Sequence, residues 1–423
     1  MSTSLRGAPR VCLALGAAYL AAGPALAQTW IVDAAGAPGS HFRTIQAAVD
    51  AAADGDTILL RSGSYGEAVS IDGKALHVVG LGGCFVFAST SRPTPAPLFE
   101  VKNLPAGREV HLRGFDLARL SGQPGDALHL RGNAGRVWCE ELFLDTYDGP
   151  ALHIEDCAEV LLSDVFAQAN LATLDVAGRA IPAAGMVIER CAHVSVFGGQ
   201  ARGSHGPPLF RTPTQPIAGG AGVAVRDARV SLVGITLEGG TGGSFEVSGC
   251  LLGARGGSAL LVAPPTTSAR EVLVHGASLR AGSSGFRDRG CAPDPGNAPE
   301  IDDPSAAVRS LSGAPARLEW PTLPYPSGNF EFQIVGAPQE LFLGLLSLET
   351  QDGAPMPGIE GELFLPLAAS IVGFAGRLDA AGFHQRGAGF VSPGGPVHLH
   401  AQVVLLDARG TLRFTGPGTL LLR

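Results

Sequence analysis

One short apolar pattern recurs through the middle of this chain and restricts the folds open to it. The unit reads apolar-x-apolar-x-Gly-x-x-apolar, with the Gly replaced in some copies. Period-two alternation puts the apolar residues of a strand on one side, and self-similarity of this kind is the signature of stacked repeat architectures. The copies begin at Leu76, Val110, Val137, Val160, Val194, Val230 and Val272.

A second apolar column precedes the first in several copies. Its segments begin at Leu128, Leu152, Met186, Val223 and Leu260. Each copy therefore supplies two or three short strands, which is one coil of a solenoid built from parallel sheets. Coils stack about 4.8 Å apart, so equivalent positions form ladders. We predict an all-β chain with a right-handed parallel β-helix over residues 28–290, in which Cys139 points inward.

Insertions of uneven length separate the copies, notably at 168–184, 199–221 and 239–257. Most follow the third strand of a coil, so we expect them to project from one side of the solenoid and to form a cleft. The segment 245–252 in the last of them reads either as part of a loop or as a degenerate extra coil.

The stretch His41–Ser64 predicts how the solenoid begins. Its apolar residues recur at helical spacing over Thr44–Ala52, with Thr44 as a suitable N-cap, and a strand follows at 57–60. A short helix would cover the open end of the sheets. Continued through Gly63-Ser-Tyr-Gly-Glu67, the stretch resembles the N-terminal cap of right-handed parallel β-helix proteins of the pectin-lyase-like superfamily. The resemblance implies architecture and leaves the chemistry open.

The first 27 residues read as a signal peptide. Arg6 and Arg10 form a basic region, an apolar run follows over 11–22, and Ala25-Leu-Ala27 is a cleavage site. The apolar run is too short for a membrane span. We expect no transmembrane segment and a mature protein that is secreted, periplasmic or held at the cell surface.

Charge and cysteine content limit the partners and the compartment. The net charge of −8 argues against nucleic acid, which needs a basic patch. An even number of cysteines after cleavage permits disulfides in an oxidising compartment. Cys157 and Cys191 occupy the same turn position, and the coil spacing of about 4.8 Å suits a disulfide. A coil-to-coil bridge and a stacked pair of thiols are equally favoured.

The last part of the chain predicts a separate unit. Residues 291–326 have the Pro- and Gly-rich composition of a linker. Residues 327–423 then alternate with frequent turns, which indicates a small antiparallel β-sandwich-like domain and resembles a C-terminal accessory domain of exported bacterial proteins. His398 and His400 lie two apart on one predicted strand, near His384; they are either zinc ligands or surface polar residues.

Candidate site residues lie on the outward side of the second column. Glu155, Glu189 and Arg226 are the catalytic candidates there, and the two glutamates could share a calcium ion. His129, His153 and Arg131 are substrate-binding candidates, since an Arg can pair with a uronate carboxylate. The alternative is a solvated ladder of alternating charge, which cross-strand pairing favours anyway.

Other candidates come from searching for known active-site patterns. An inverting hydrolase needs two opposed carboxylates, for which Asp164 with Glu189 is the best pair. Gly63-Ser-Tyr-Gly-Glu67 matches a G-x-Y-x-E element of pectinesterases without their other catalytic stretches, and Gly203-Ser-His-Gly206 only echoes a polygalacturonase motif. Arg202 and His205 are further substrate-binding candidates there.

Two functions remain open on this basis. The first is a non-catalytic exported module that binds a polysaccharide or a cell-surface partner, needing no cofactor. The alternative is a carbohydrate-active enzyme (lyase, esterase or hydrolase) with its site beside the insertions. The missing signatures favour the first, while the His, Glu and Arg ladder supports the second.

Overall fold

The computed structural model describes the chain in segments. They are 27–88, 96–119, 125–147, 149–171, 173–174, 180–206, 217–247, 250–266, 271–287, 295–311, 317–319, 328–348, 354–355, 359–360, 362–390 and 397–422. The predicted signal peptide lies outside these residues except for Ala27, and so does Cys291. Among the described residues no helix is long and apolar enough to cross a membrane.

Three parallel sheets run the length of the first part of the chain, which confirms the parallel β-helix. Sheet A has the strands Thr29–Val32, Thr57–Leu60, His77–Gly80, Glu109–Arg113, Arg136–Glu140, Glu159–Ser163, His193–Phe197, Val230–Val233, Val272–His275 and Val308–Leu311. Sheet B has Gly63–Tyr65, Cys84–Phe87, Asp116–Arg119, Phe143–Thr146, Phe166–Ala169, Gln200–Arg202, Thr236–Glu238 and Ser278–Arg280. Sheet C has Val69–Asp72, Phe99–Lys102, Leu128–Arg131, Leu152–Glu155, Met186–Glu189, Val223–Arg226, Leu260–Val262 and Ile301–Asp302. The chain visits A, B and C in turn, once per coil.

The Gly of the repeat forms the sharp corner between sheets A and B. Gly114, Gly198 and Gly234 all have φ between 63° and 72°, a left-handed conformation that costs glycine little. Glu141 and Asp164 hold the same corner in the intervening coils, with φ of 53° and 51°. Where a copy of the repeat lacks glycine, the residue at this corner therefore still adopts the left-handed backbone conformation.

The core is the inside of the solenoid, filled by the apolar columns of the repeat. Leu128, Leu152, Met186 and Val223 stack in register along sheet C, and all four are fully buried. Cys139 is fully buried in sheet A as predicted. Each buried aliphatic side chain of this kind contributes about 1.5–3 kcal/mol, which makes the inward ladders the main source of stability.

The capping helix spans Ile45–Ala51, close to the predicted 44–52. Thr44 is at the N-cap position, but its side chain makes no capping hydrogen bond. The carboxylate of Glu67 instead accepts hydrogen bonds from the backbone N–H groups of Ile45 and Gln46, at 2.7 and 3.0 Å. The helix is thus capped by a residue from the first coil, which ties the cap to the solenoid.

The solenoid ends later than its apolar pattern predicted. Ile301–Asp302 and Val308–Leu311 extend sheets C and A beyond residue 290, so part of the predicted linker is a final coil. Its strands are half-exposed at the end of the stack, which is why they carry little apolar signal. Ser244–Val247 and Cys250–Gly253 pair antiparallel, so the ambiguous segment at 245–252 is a hairpin and not an extra coil.

The described parts of the insertions follow sheet B, as predicted, but several pack against each other as extended backbone. Gly240 N–H donates to Gly220 O, Gly257 N–H to Gly240 O and Gly282 N–H to Gly257 O, each at 2.8 Å. A Cβ on Gly240 would lie 1.8 Å from the carbonyl oxygen of Ser204. This glycine array is a packed wall of main chain and differs from the projecting loops that the sequence predicted.

The C-terminal part forms antiparallel sheets, as predicted, and begins earlier than residue 327. Arg317–Glu319, Gly328–Val335 and Phe383–Phe390 make a three-stranded sheet. A second sheet contains Leu341–Ser347, Ile371–Arg377, Val397–Leu406, Leu412–Phe414 and Gly418–Leu422, with Ile359–Glu360 parallel at its edge. The pair Ala354–Pro355 and Glu362–Leu363 and the 3-10 turn Leu367–Ala369 complete it.

The C-terminal domain packs on the outward face of sheet A, along the side of the solenoid. Trp138 is fully buried there and stacks on His400 at 5.6 Å between ring centroids, and Phe197 meets Phe364 edge-on at 6.0 Å. His400 is 5% exposed, so it is not the surface residue that its strand position predicted.

The cysteine pair is stacked without being bridged. Cys157 and Cys191 both hold thiols, so the predicted disulfide between them is wrong and the alternative of a stacked pair is correct. Hydrogen bonding between the two thiols lowers the pKa of Cys157 and raises that of Cys191. Cys250, by contrast, is disulfide-bonded.

Candidate functional site

The outward face of sheet C brings most of the predicted site residues together. Arg131 pairs in register with Glu155, Glu155 with Glu189 and Glu189 with Arg226, so four of them form one ladder across four coils. His129 and His153 form a second ladder two positions earlier. Parallel stacking in register is what turns residues far apart in sequence into neighbours about 4.8 Å apart.

The two histidines form a close pair over one carboxylate. Their rings are parallel, with centroids 4.5 Å apart, and each Nδ1 lies 3.3 Å from Oδ2 of Asp126. Nε2 of His129 lies 3.2 Å from Oε1 of Glu155. Asp126 precedes its strand by two residues, and sequence reasoning missed it because a lone Asp in a turn gives no signal until the coils are stacked.

Burial and the shared carboxylate move the two histidines in opposite directions. Burial lowers the pKa of His129, and its neighbour His153 adds to that effect, in spite of Asp126. Burial also acts on His153, but the hydrogen bond and the charge of Asp126, together with the charges of Glu155 and Glu189, outweigh it and raise the pKa of His153.

Arg190 is the second residue that sequence reasoning missed. Its guanidinium lies 2.8 Å from Glu155, 2.7 Å from Asp156 and 3.1 Å from Glu189. It sits at a left-handed corner between sheets C and A, with φ of 53°. Arg190 occupies the position between Glu155 and Glu189 at which calcium was expected, and the calcium site stays a prediction.

Two arginines mark the ends of the ladder and face solvent. The side chain of Arg131 is 49% exposed and lies 3.3 Å from Glu100; that of Arg226 is 51% exposed and lies 3.5 Å from Glu189. Glu100 also pairs with Lys102 at 2.6 Å. The ladder therefore lies on an accessible face, and each of its carboxylates has a cationic partner.

Three predicted residues lie away from this face. Arg202 is in sheet B and pairs with Glu238 at 3.4 Å, and Nδ1 of His205 accepts a hydrogen bond from the backbone of Thr241 at 3.0 Å. Asp164 is at a corner between sheets A and B, so it does not oppose Glu189. The structure thus separates Asp164, Arg202 and His205 from the sheet C ladder.

Asp164 instead lines a cavity of about 140 Å³ between the solenoid and the C-terminal domain. Ser163, Phe197, Leu318 and Gly416 are among the other residues around it. At the neighbouring corner, burial raises the pKa of Glu141 to about 7, with Glu140 and Asp164 adding to the rise and Arg113 opposing it. Asp164 thus lines the cavity, and Glu141, whose pKa it helps to raise, lies at the neighbouring corner.

Comparisons with known proteins find no family and only low structural similarity. No protein-family model matches the chain, and no curated protein sequence matches it either. Pectin methylesterase PemA from Erwinia chrysanthemi is similar over 67% of this chain and 92% of its own, at 12% identity and a TM-score of 0.33. A full-length tailspike protein 2 of an Escherichia coli O157:H7 bacteriophage is similar over 90% of this chain and 66% of its own, at 10% identity and a TM-score of 0.29.

Proposed function

We propose that this protein is an exported module that binds an acidic polysaccharide on the outward face of sheet C. The observation that supports the proposal is the ladder from Arg131 to Arg226, which displays guanidinium groups on an open face at fixed spacing. The two arginines are three coils apart, about 14 Å, which lets an extended polymer contact both. Each takes a carboxylate in a charge-assisted hydrogen bond.

The pairing within the ladder favours recognition over catalysis. Glu100, Glu155 and Glu189 each lie within 3.5 Å of a cationic nitrogen atom. A general base needs access to the proton that it removes, whereas these carboxylates already bind guanidinium or ammonium groups. The carboxylate of an incoming uronate replaces that of a glutamate at an exposed arginine. The free-energy cost is small because surface ion pairs are weak.

Binding of polygalacturonate and alginate to the chain from residue 28 tests the proposal. We expect measurable binding that weakens with salt, and a loss of about tenfold or more in affinity for the double variant Arg131→Ala/Arg226→Ala. Arg280→Ala is the matched control, since Arg280 is also exposed and also pairs with a glutamate, but on sheet B. Equal binding by the wild type and the double variant would exclude the sheet C face as the site.

The alternative is a carbohydrate-active enzyme, and the corner carboxyls favour it. A carboxyl group with a pKa near 7 is suited to proton transfer at neutral pH, and Glu141 has that property beside Asp164. The same polysaccharides incubated with the protein should then yield new reducing ends or unsaturated products. Glu141→Gln would abolish product formation while leaving sheet C binding intact; silence across the panel would leave binding as the function.

A further inference from the structure

Asp126, His129 and His153 form a compact donor set on the accessible side of the solenoid. One ligand atom from each lies within 4.8 Å of the others. The side chains of Asp126 and His129 are 14% and 12% exposed and that of His153 is 23% exposed, so the cluster is reachable from solvent without being fully solvated. Two strands of sheet C, at Leu128–Arg131 and Leu152–Glu155, hold the histidines in register.

The two distances from the histidines to Asp126 match those between neighbouring ligands of a tetrahedral metal centre. Zinc binds nitrogen and oxygen ligands at about 2.0–2.2 Å, which places neighbouring ligands of a tetrahedron about 3.3–3.5 Å apart. Both Nδ1–Oδ2 distances to Asp126 are 3.3 Å. Two imidazoles and one carboxylate, with a fourth position left to water, are the ligand number and type of an open zinc site.

Glu155 supplies an outer partner for such a centre. If Nδ1 of His129 binds the metal, its Nε2 carries the proton; that atom lies 3.2 Å from Oε1 of Glu155 but is not aligned for a hydrogen bond in the present ring orientation, so the ring must turn on ligation for Glu155 to accept it. A carboxylate that accepts the second N–H of a ligating histidine fixes its tautomer and raises its basicity. Glu155 is held in turn by Arg190 at 2.8 Å.

We propose that Asp126, His129 and His153 bind one zinc ion, with Glu155 as a positioning residue for His129. Mixed nitrogen and oxygen donors select zinc or a similar transition metal over calcium, which prefers six to eight oxygen ligands. The lone pair of an imidazole nitrogen lies in the ring plane, so binding tilts the two rings towards the ion and opens their parallel stack. The proposal is independent of polysaccharide binding.

Titration of the chelator-stripped chain from residue 28 with Zn²⁺ and with Co²⁺ tests the site. We expect one ion per chain, a rise in melting temperature with zinc concentration, and a visible cobalt band of a nitrogen and oxygen site. A near-ultraviolet thiolate-to-cobalt band would assign the ion to the cysteines and overturn the proposal. Absence of zinc uptake by the wild type at neutral pH would overturn it too.

Single variants separate ligation from general electrostatic attraction. His129→Gln, His153→Gln and Asp126→Asn should each weaken zinc binding at least about 100-fold, and Glu155→Gln about 10- to 100-fold. Glu100→Gln is the control, because Glu100 precedes His129 in the same ladder but lies outside the donor set. Wild-type affinity in all three ligand variants, or an equal loss in Glu100→Gln, would refute the assignment; circular dichroism verifies that each variant is folded.

Discussion

The indole of Trp138 stacks on the imidazole of His400, with ring centroids 5.6 Å apart and planes inclined by 29°. One ring belongs to the solenoid and the other to the C-terminal domain. Trp138 is fully buried at this contact although it points outward from sheet A, next to the outward His111. The C-terminal domain therefore covers the outward face of sheet A, and the two units form a second buried core between them.

Removing the indole should uncouple the two units. We expect Trp138→Ala to destabilise the protein by about 3–5 kcal/mol, as for other buried aromatic truncations, and to expose the interface to proteases. Urea unfolding and limited proteolysis measure both effects. Phe143→Ala is the control, because that ring is 44% exposed on sheet B and its loss should cost little. Equal stability of Trp138→Ala and wild type would mean that the stack does not hold the domain.

The same interface should weaken in mild acid. Burial lowers the pKa of His77 and of His400 to about 4, against an ordinary value near 6.5, so both are neutral in the folded protein at neutral pH. Between pH 6.5 and 4 the unfolded chain binds these protons and the folded chain does not. The contribution of the neutral histidines to the free energy of unfolding is therefore fully present above pH 6.5. It is lost as the pH falls to 4, by roughly 3 kcal/mol per histidine at most.

Urea denaturation at pH 7.5, 6, 5 and 4 measures this loss. His400→Phe, which retains a ring against Trp138 and has no proton to bind, should show a shallower decline than the wild type. His41→Phe is the comparison, since His41 is an exposed residue of the first coil. Parallel curves for His400→Phe and the wild type would show that His400 does not contribute to the acid sensitivity.

The cap helix offers a matched pair of substitutions. Glu67→Ala removes both hydrogen bonds to the helix N-terminus and should cost about 0.5–2 kcal/mol. Thr44→Ala should have almost no effect, because the Thr44 side chain makes no capping bond. Thermal unfolding of the two variants distinguishes them, and a larger loss for Thr44→Ala would contradict the assignment of Glu67 as the cap.

The glycine array should tolerate no side chain. Gly240→Ala places a Cβ against the main chain of a neighbouring segment, where relief requires the whole array to shift, so we expect a loss of at least about 2 kcal/mol. Gly107→Ala is the control: its φ is 73°, but nothing lies within 4 Å of an added Cβ, and the cost should be about 1 kcal/mol. Chemical denaturation of both variants makes the comparison.

The fold was readable from the sequence because a solenoid repeats its own constraints. Each inward position is aliphatic in coil after coil, and register follows from aligning the columns. The same alignment predicts that His129 lies beside His153 and Glu155 beside Glu189. Adjacency along a ladder is a local consequence of stacking, which explains why this part of the candidate site could be predicted.

The features that could not be predicted from the sequence depend on contacts between distant segments. His111 reads as an outward polar residue of sheet A, and it is buried against Trp138 under the C-terminal domain. Asp126 lies in a turn before a strand and Arg190 at a corner, where no periodicity applies, yet they hold the histidine pair and the glutamates. The sequence predicted projecting loops where the glycine array lies, because composition does not reveal contacts between main-chain segments.

Several corners of the solenoid hold non-glycine residues in an unfavourable, left-handed backbone conformation. Four consecutive corners, at Glu141, Asp156, Asp164 and Arg190, carry charged residues at φ of 51–53°, whereas glycine forms the corners immediately before and after them. Each such residue costs on the order of 1 kcal/mol that glycine would have avoided. These corners surround the coils that hold His153, Glu155 and Glu189. Non-glycine residues in this conformation also occur at Asn103 and Asp227, on either side, so the strained corners extend over the same coils as the charged face from Arg131 to Arg226.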